Sequence, residues 1–291
     1  MAASPLHIIF CGTSTFAIPA LCALMEAKNM AIDLVITQPD KPVGRTQAIT
    51  SPPVAIAAKE YGLPIAQPAT INNMSIGGTT PDFLIVVSYG QRIGDALLAL
   101  PRIAPINIHP SLLPRWRGAS PIQHALLAGD KQTGVTIQRM VAEMDAGPIL
   151  AQKETPIGAE ETAEELHDRL ADMSAQMLVP TLQKPLQEKA QNETEVTVCG
   201  KLSRNDGYVD PSTMTAEYIH RRIRALVPWP GVHCSIEGQT VKLHRATLEP
   251  TEKSLPLQCA ESTVLFVTRL QSPGGHVLPA DAWLRGKRRR T

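Results

Sequence analysis

Long apolar runs are missing from this sequence of 291 residues. No stretch approaches the roughly 18 consecutive apolar residues that a membrane-spanning helix needs, so we expect neither an integral membrane protein nor a membrane partner. Paired cysteines are missing too, because the five cysteines are an odd number and none stands in a Cys-x-x-Cys pair. Their spacing supports neither a zinc site nor a disulfide framework. We therefore expect no metal, and we interpret the cysteines as buried free thiols.

The leader lacks the basic region with which an export signal begins. Met-Ala-Ala-Ser-Pro runs directly into an apolar segment, so we expect a cytoplasmic protein. Apolar residues make up 43% of the chain and charged residues 19%, a balance that does not fit a disordered chain. The length suits two ordinary domains or one large one.

Glycine-rich nucleotide loops are also absent. A dinucleotide site needs the spacing G-x-G-x-x-G so that the backbone can approach a pyrophosphate. The first predicted turn between strand and helix, Gly-Thr-Ser-Thr-Phe-Ala, contains only Gly12, and the chain has no P-loop. These absences disfavour an enzyme that uses nicotinamide or ATP.

The net charge of +1 conceals two sections of opposite sign. Residues 195–291 hold 14 Lys and Arg against 9 Asp and Glu, a net charge of +5, which leaves −4 for residues 1–194. A basic section on an acidic body indicates a polyanionic partner. A solvated Arg-rich tail at residues 287–290 would produce the same asymmetry, and charge alone does not separate the two interpretations.

Strands and helices alternate along the first 150 residues. Residues 6–11, 32–36 and 82–88 are typical of strands, and residues 16–28 have helical spacing. The apolar run in residues 82–88 is continuous, as in a parallel strand that is covered on both faces. We predict a doubly wound α/β domain with a mostly parallel sheet, whose ligands bind beyond the carboxyl ends of the strands.

The C-terminal part has a different pattern. A long helix over residues 160–187 precedes a polar segment without periodicity, and a further helix over residues 213–227 is followed by short alternating strands. The segment Glu-Gly-Gln at residues 237–239 is typical of a hairpin turn. We predict an α/β catalytic domain, a linker and an OB-like β-barrel domain, with the bounds 1–187, 188–200 and 201–291.

Residues 106–147 carry the candidate chemistry. Asn107 and His109 are two positions apart at the end of a predicted strand, so they share one face. Asp145 lies in a turn before Gly147. An amide and a charged imidazole can stabilise an oxyanion, and a carboxylate can orient the imidazole or accept a proton, a set that suits acyl transfer. By spacing alone, the same residues would equally well satisfy a loop backbone or form an Asx-turn.

Two motifs resemble the signature of the folate-dependent formyltransferases: Asn107-Ile108-His109-Pro110-Ser111-Leu112-Leu113-Pro114 and Met144-Asp145-Ala146-Gly147. The resemblance is strongest to the members that act on initiator methionyl-tRNA, and it spans nearly the whole chain. Four further stretches share it: Gly12 to Ala17, Gln38 to Arg45, Arg115 to Ala119, and Pro228-Trp229-Pro230.

The resemblance implies transfer of the formyl group of 10-formyltetrahydrofolate to the α-amino group of methionine on initiator tRNA. Asn107 and His109 would stabilise the oxyanion, and Asp145 would tune His109 and assist deprotonation of the amine. Arg45 would contact the tRNA acceptor end and the C-terminal domain would bind the tRNA, in a protein that we expect to be monomeric. Two segments would border the folate: Ser111, Leu112, Leu113 and Pro114, and Tyr89, Gly90 and Gln91.

The sequence departs from the family pattern at two places, and several other functions are compatible with the same motifs. Residues 46–49 are uncharged where members commonly carry lysines, and the C-terminal helix ends in an Arg-rich tail. A formyltransferase acting on glycinamide ribonucleotide has no C-terminal β module. Sugar-nucleotide N-formyltransferases and 10-formyltetrahydrofolate hydrolases share the scaffold, and a catalytically inactive RNA-binding protein is a rival from another class.

Overall fold

The computed structural model describes residues 4–44, 46–78, 80–236 and 238–288, without the side chains of Lys287 and Arg288. Its strands are β1 Leu6–Gly12, β2 Met30–Ile36, β3 Lys41–Val43, β4 Ala48–Thr50, β5 Ile65–Ala66, β6 Phe83–Val87, β7 Ala104–His109, β8 Arg117–Gly118, β9 Gln132–Arg139, β10 Ile149–Pro156, β11 Val198–Cys199, β12 Val232–Ile236, β13 Gln239–Thr247, β14 Leu255–Gln258, β15 Val264–Gln271 and β16 Leu278–Pro279. Its α-helices are α1 Ile18–Glu26, α2 Pro53–Glu60, α3 Asp95–Leu98, α4 Pro121–Ala128, α5 Ala163–Leu182, α6 Ala216–Leu226 and α7 Ala280–Arg288.

The first of two compact units is built on a seven-stranded sheet. The unit comprises Met1–Gly118, Thr133–Thr155 and His167–Val198. Its strand order is β10-β9-β7-β6-β1-β2-β5, with β5, β2, β1, β6 and β7 parallel and β9 antiparallel to β7. This confirms the predicted doubly wound, mostly parallel sheet. The strand order reverses direction between β1 and β6, where such folds have their ligand crevice.

Strand β6 occupies the middle of this sheet because its sequence is apolar throughout. All five of its residues, Phe-Leu-Ile-Val-Val, are buried. Leu84 pairs with Ile9 of β1 and with Pro105 of β7, so the strand has a neighbour on either side. Since β1, β6 and β7 are parallel, their carboxyl ends reach the same edge of the sheet. The residues that follow these strands therefore line one crevice.

The second compact unit contains a five-stranded antiparallel sheet. It comprises Ala119–Gln132, Pro156–Leu166 and Cys199–Thr291, and is therefore discontinuous in sequence. Its strand order is β12-β13-β15-β14, and β16 pairs with β15. The hairpin predicted at residues 237–239 is confirmed, because β12 pairs antiparallel with β13, although Glu237 lies outside the described residues.

Helix α6 is the central helix of the second unit. It begins at the N-cap Thr215, whose side chain accepts a hydrogen bond from the Tyr218 amide. Ile219, Ile223 and Leu226 form its buried stripe. This stripe faces the antiparallel sheet, and α4 of the same unit packs against α6.

The domain bounds 1–187, 188–200 and 201–291 stay a prediction. Residues 188–198 of the predicted linker belong to the first unit and include a short 3-10 turn at Glu193–Glu195. Residues 119–132 and 156–166 lie on the N-terminal side of the predicted linker but belong to the second unit.

The cysteine interpretation is confirmed for four of the five residues. All five are free; Cys22 is half-buried, and the buried ones are Cys11, Cys199, Cys234 and Cys259. Burial raises the pKa of the Cys234 thiol to about 12, so this group stays protonated at neutral pH. Within the described residues, no helix is long and apolar enough to cross a membrane. Nor do the described residues include a cluster of three His, Cys, Asp or Glu side chains that could hold a metal.

Candidate active site

Strand β7 positions the first two predicted catalytic residues at its carboxyl end. Asn107 and His109 lie on the same face because side chains alternate along a strand. On the antiparallel neighbour β9, Gln138 stands opposite Asn107 and Thr136 stands opposite His109. His109 is only 4% exposed, so its ring is held almost entirely by protein atoms.

The Asp145 carboxylate joins these two side chains. Its Oδ1 accepts hydrogen bonds from Asn107 Nδ2 at 3.1 Å and from Gln138 Nε2 at 3.0 Å. Its Oδ2 accepts a hydrogen bond from the Gly118 amide at 2.9 Å and lies 3.6 Å from His109 Nδ1. The three predicted catalytic residues are therefore in one cluster. Three N–H donors on two oxygens fix the orientation of the carboxylate.

A tight turn presents Asp145 to β7. The backbone of Asp145 has a φ of +54°, a conformation that aspartate tolerates better than most residues. Two positions later, a Cβ on Gly147 would overlap the carbonyl oxygen of Arg139. Glycine is required there because the turn runs backbone against backbone along the end of β9.

The imidazole of His109 lies between a carbonyl and a carboxylate. Its Nε2 is 2.8 Å from the Trp116 carbonyl oxygen. A carbonyl oxygen only accepts, so Nε2 carries a proton and donates it. Nδ1, on the other side of the ring, faces Asp145 Oδ2. Trp116 itself has a φ of +62°, and such backbone strain occurs preferentially at functional sites.

The four predicted folate residues after β7 divide into two pairs. Ser111 and Leu113 are buried. The Thr136 hydroxyl links them, donating to the Ser111 carbonyl oxygen at 2.6 Å and accepting from the Leu113 amide at 3.1 Å. Leu112 and Pro114 are partly exposed, so theirs are the side chains that a ligand can reach. Contact of these residues with folate stays a prediction.

The segment 89–91, the other predicted folate border, follows β6 at the same sheet edge. The Tyr89 carbonyl oxygen accepts hydrogen bonds from Thr13 Oγ1 at 2.7 Å and from Gln38 Nε2 at 2.8 Å. The Tyr89 ring is buried in the core, and burial raises the pKa of its hydroxyl. The Gln91 Oε1 accepts a hydrogen bond from the Ile71 amide at 2.8 Å. Contact of Tyr89, Gly90 and Gln91 with folate stays a prediction.

The predicted tRNA residue Arg45 lies outside the described residues. Strands β3 and β4 on either side of it form an antiparallel hairpin. The hairpin exposes apolar side chains, with Val43 55% and Ile49 70% exposed. Of the Arg-rich tail, Arg289 and Arg290 and the side chain of Arg288 also lie outside the described residues.

Three hydrogen-bonding groups of the site were not identified from the sequence. They are the Gln138 side chain, the Gly118 amide and the Trp116 carbonyl. Gln138 is 1% exposed inside a strand of buried residues, and a buried amide there indicates a polar partner. The Gly118 amide and the Trp116 carbonyl are backbone groups, which every residue has, so the sequence does not reveal their role.

Comparison with known proteins gives an independent result. The family model for formyl transferases matches residues 6–182, and the model for the formyl transferase C-terminal domain matches residues 201–288. The methionyl-tRNA formyltransferase of Halorhodospira halophila is 41% identical over 301 residues, covering 97% of this chain and 96% of the relative. That of Stutzerimonas stutzeri is 40% identical over 293 residues, covering 94% and 92%.

A solved structure agrees at the level of the fold. The N-formyltransferase from Helicobacter canadensis, in complex with folinic acid and dTDP-3-aminofucose, superposes with a TM-score of 0.67. The match covers 92% of this chain and 99% of that one at 16% sequence identity, so it shows the fold alone. The motif resemblance is confirmed by the two family models and by the relatives, and the chain belongs to the formyl transferase family.

Proposed function

We propose that this chain transfers the formyl group of 10-formyltetrahydrofolate to the α-amino group of methionine on initiator methionyl-tRNA, in support of translation initiation. The observation that carries the proposal is the Asp145 carboxylate, which is hydrogen-bonded to Asn107 and faces His109. The two relatives at 40–41% identity, which match along almost their whole length, carry the name of that activity.

Asn107 supplies the neutral donor for the oxyanion. Its Nδ2 carries two hydrogens, and Asp145 Oδ1 accepts one of them. The second is available to the formyl oxygen as negative charge develops on it during attack by the amine. A donor fixed before the reaction stabilises this charge without reorganising.

His109 is the second candidate group for stabilising the oxyanion. Its Nε2 proton is donated to the Trp116 carbonyl, so a direct hydrogen bond to the oxyanion requires that proton to change acceptor. A charged imidazole would need no such movement, because the field of an imidazolium acts from its present position. The Asp145 carboxylate lies 3.6 Å from Nδ1, on the other side of the ring from the Trp116 carbonyl.

Asp145 assists the proton transfer. The amine nitrogen forms a bond to the formyl carbon and must lose a proton, while the bond from that carbon to N10 of tetrahydrofolate breaks and N10 gains one. Asp145 accepts the amine proton, directly or through water, and the proton passes to N10. No covalent intermediate with the protein is needed, because the substrate brings its own nucleophile.

The tRNA partner fits the charge of the C-terminal section. Residues 195–291 carry a net charge of +5. Phosphate contacts of this kind dominate the affinity for nucleic acids. We assign the acceptor-end contact to Arg45, and we propose a monomer that works in the cytoplasm, where initiator tRNA is used.

A sugar-nucleotide N-formyltransferase is the second candidate, favoured by the shared fold of the Helicobacter canadensis protein. A 10-formyltetrahydrofolate hydrolase on the same scaffold would use water in place of the amine.

The deciding experiment follows labelled formyl from 10-formyltetrahydrofolate. Purified protein is incubated with methionyl initiator tRNA, with methionyl elongator tRNA, or with an amino-sugar nucleotide. We expect label on the initiator methionine alone. Label released as formate with every acceptor would establish a hydrolase, and label on the sugar nucleotide would establish the second candidate. Unconsumed 10-formyltetrahydrofolate would overturn formyl transfer altogether.

A further inference from the structure

The side chain of Gln191 holds the turn that carries Asp145. Gln191 is 9% exposed, and its Nε2 donates to the carbonyl oxygens of Asp145 at 2.7 Å and Gly147 at 2.8 Å. Its Oε1 accepts from Arg117 Nε at 3.0 Å. Both ends of the carboxamide are therefore engaged, and glutamine alone among side chains of this length offers two hydrogens on one end and an acceptor on the other.

Arg117 fixes Gln191 from the opposite side. Its guanidinium is 6% exposed and forms a two-point contact with Glu193, with nitrogen to oxygen distances of 2.7 and 3.3 Å. Hydrogen bonding to Arg117 lowers the pKa of the Glu193 carboxyl. The residue after Arg117 is Gly118, whose amide donates to Asp145 Oδ2. Arg117 thus links Gln191 to a group that binds the carboxylate directly.

Thr197 ties the same segment to the His109 side of the site. Its Oγ1 accepts from the Trp116 amide at 2.9 Å, and its carbonyl oxygen accepts from the Arg117 amide at 2.9 Å. Trp116 is the residue whose carbonyl oxygen meets His109 Nε2. Residues 191–197, which we name the strap, therefore contact both loops that supply partners to the catalytic cluster.

We propose that Gln191 is a positioning residue for formyl transfer, holding the 145–147 turn so that the Asp145 carboxylate faces Asn107 and His109. The inference rests on the proposed function, because it assigns a role in that reaction. Without Gln191, the carbonyl oxygens of Asp145 and Gly147 lose this donor, and the turn is held less firmly against β7. A displacement of about 1 Å in a reacting group costs on the order of a hundredfold in rate.

The test compares Gln191→Met with the matched control Gln187→Met. Methionine keeps the unbranched shape of glutamine but removes the donors and the acceptor. Gln187 is exposed and lies four positions earlier on the same segment. We expect Gln191→Met to lower kcat for formyl transfer about tenfold or more, with KM for methionyl-tRNA within about threefold of the wild type. We expect Gln187→Met to leave both constants unchanged.

A second arm separates positioning from general structural damage. If Gln191 acts through Asp145, adding Gln191→Met to an Asp145→Asn variant changes kcat by less than about twofold, because the effects of coupled residues are not additive. If Gln191→Met does not fold, Gln191→Glu replaces it in both arms. It keeps an acceptor for Arg117 and puts a carboxylate oxygen in place of the nitrogen that donates to Asp145, Gly147 and Gln138.

The outcomes are distinct. Unchanged kcat in the folded Gln191 variant, a change in KM alone, or an undiminished loss in the Asp145→Asn background would each overturn the positioning role. Wild-type protein that transfers no formyl to tRNA would instead overturn the proposed function.

Discussion

At the scale of single residues, the Asn107 side chain is expected to affect the rate of formyl transfer more than the binding of substrate. Asn107 shares one hydrogen with Asp145 and has a second for the substrate oxygen. Because that oxygen gains its charge only in the transition state, we predict that Asn107→Ala lowers kcat by about a hundredfold or more. KM for methionyl-tRNA should change little. Steady-state formylation measures both, with Asn73→Ala at an exposed position outside the site as control. An increase in KM with kcat intact would show that Asn107 acts in ground-state binding.

Gly147 gives a prediction that combines stability and rate. An alanine Cβ there would overlap the Arg139 carbonyl oxygen, so the turn must move. We predict that Gly147→Ala lowers the free energy of unfolding by about 1–3 kcal/mol, the usual range for overpacking, and lowers kcat as well. Urea unfolding and formylation measure the two effects. The control is Gly77→Ala, where a Cβ meets no atom within 4 Å. Equal behaviour of the two variants would contradict a tightly apposed turn at residues 145–147.

At the scale of the element, α6 contains a buried histidine that makes stability depend on pH. Burial is the main influence and lowers the pKa of His220 in the folded state, and Arg224 acts in the same direction. Glu160, 3.2 Å from Nε2, and the Ala246 backbone oppose the shift. The unfolded histidine therefore binds a proton at a higher pH than the folded one. By linkage, the free energy of unfolding falls as the pH drops below about 6.5.

The prediction is a smaller pH dependence in His220→Gln. Between pH 7.5 and 5.5, the urea midpoint of the wild type should fall more steeply than that of the variant. The control is His276→Gln, the same substitution at an exposed histidine. If the urea midpoints of the wild type and of His220→Gln changed equally with pH, His220 would not be a source of the pH dependence of stability.

Elements differ in how much of them the sequence reveals. Strand β6 was predictable because burial on both faces demands an unbroken apolar run, and Asn107, His109 and Asp145 were found through their motifs. No strand was assigned to β9, which begins Gln-Thr-Gly and keeps polar side chains in the interior. The polar, aperiodic sequence of the strap predicts a linker. Its key hydrogen bond joins Gln191 to a carbonyl 46 positions away, and the amino-acid pattern does not encode such a partner.

At the scale of the whole molecule, contacts with phosphates make the binding of tRNA sensitive to salt. Each phosphate contact adds about one unit to the slope of log Kd against log salt concentration. We predict that Arg45→Ala weakens binding of initiator tRNA and reduces this slope by about one. Arg102→Ala is the control, because Arg102 pairs with Asp82 at the start of β6, away from the carboxyl edge of the sheet. An unchanged slope in Arg45→Ala would remove Arg45 from the phosphate contacts.

The discontinuity of the second unit has a consequence for how the chain folds during synthesis. Helix α4 leaves the ribosome well before α6, its packing partner, has been made. The interval is about 4–18 s at common elongation rates of roughly 5–20 residues per second. During it, Ile122, Ala125 and Leu126, which are buried in the finished protein, have no α6 to pack against. During this interval the exposed apolar face of α4 can bind chaperones or cause aggregation. Faster elongation would shorten the interval.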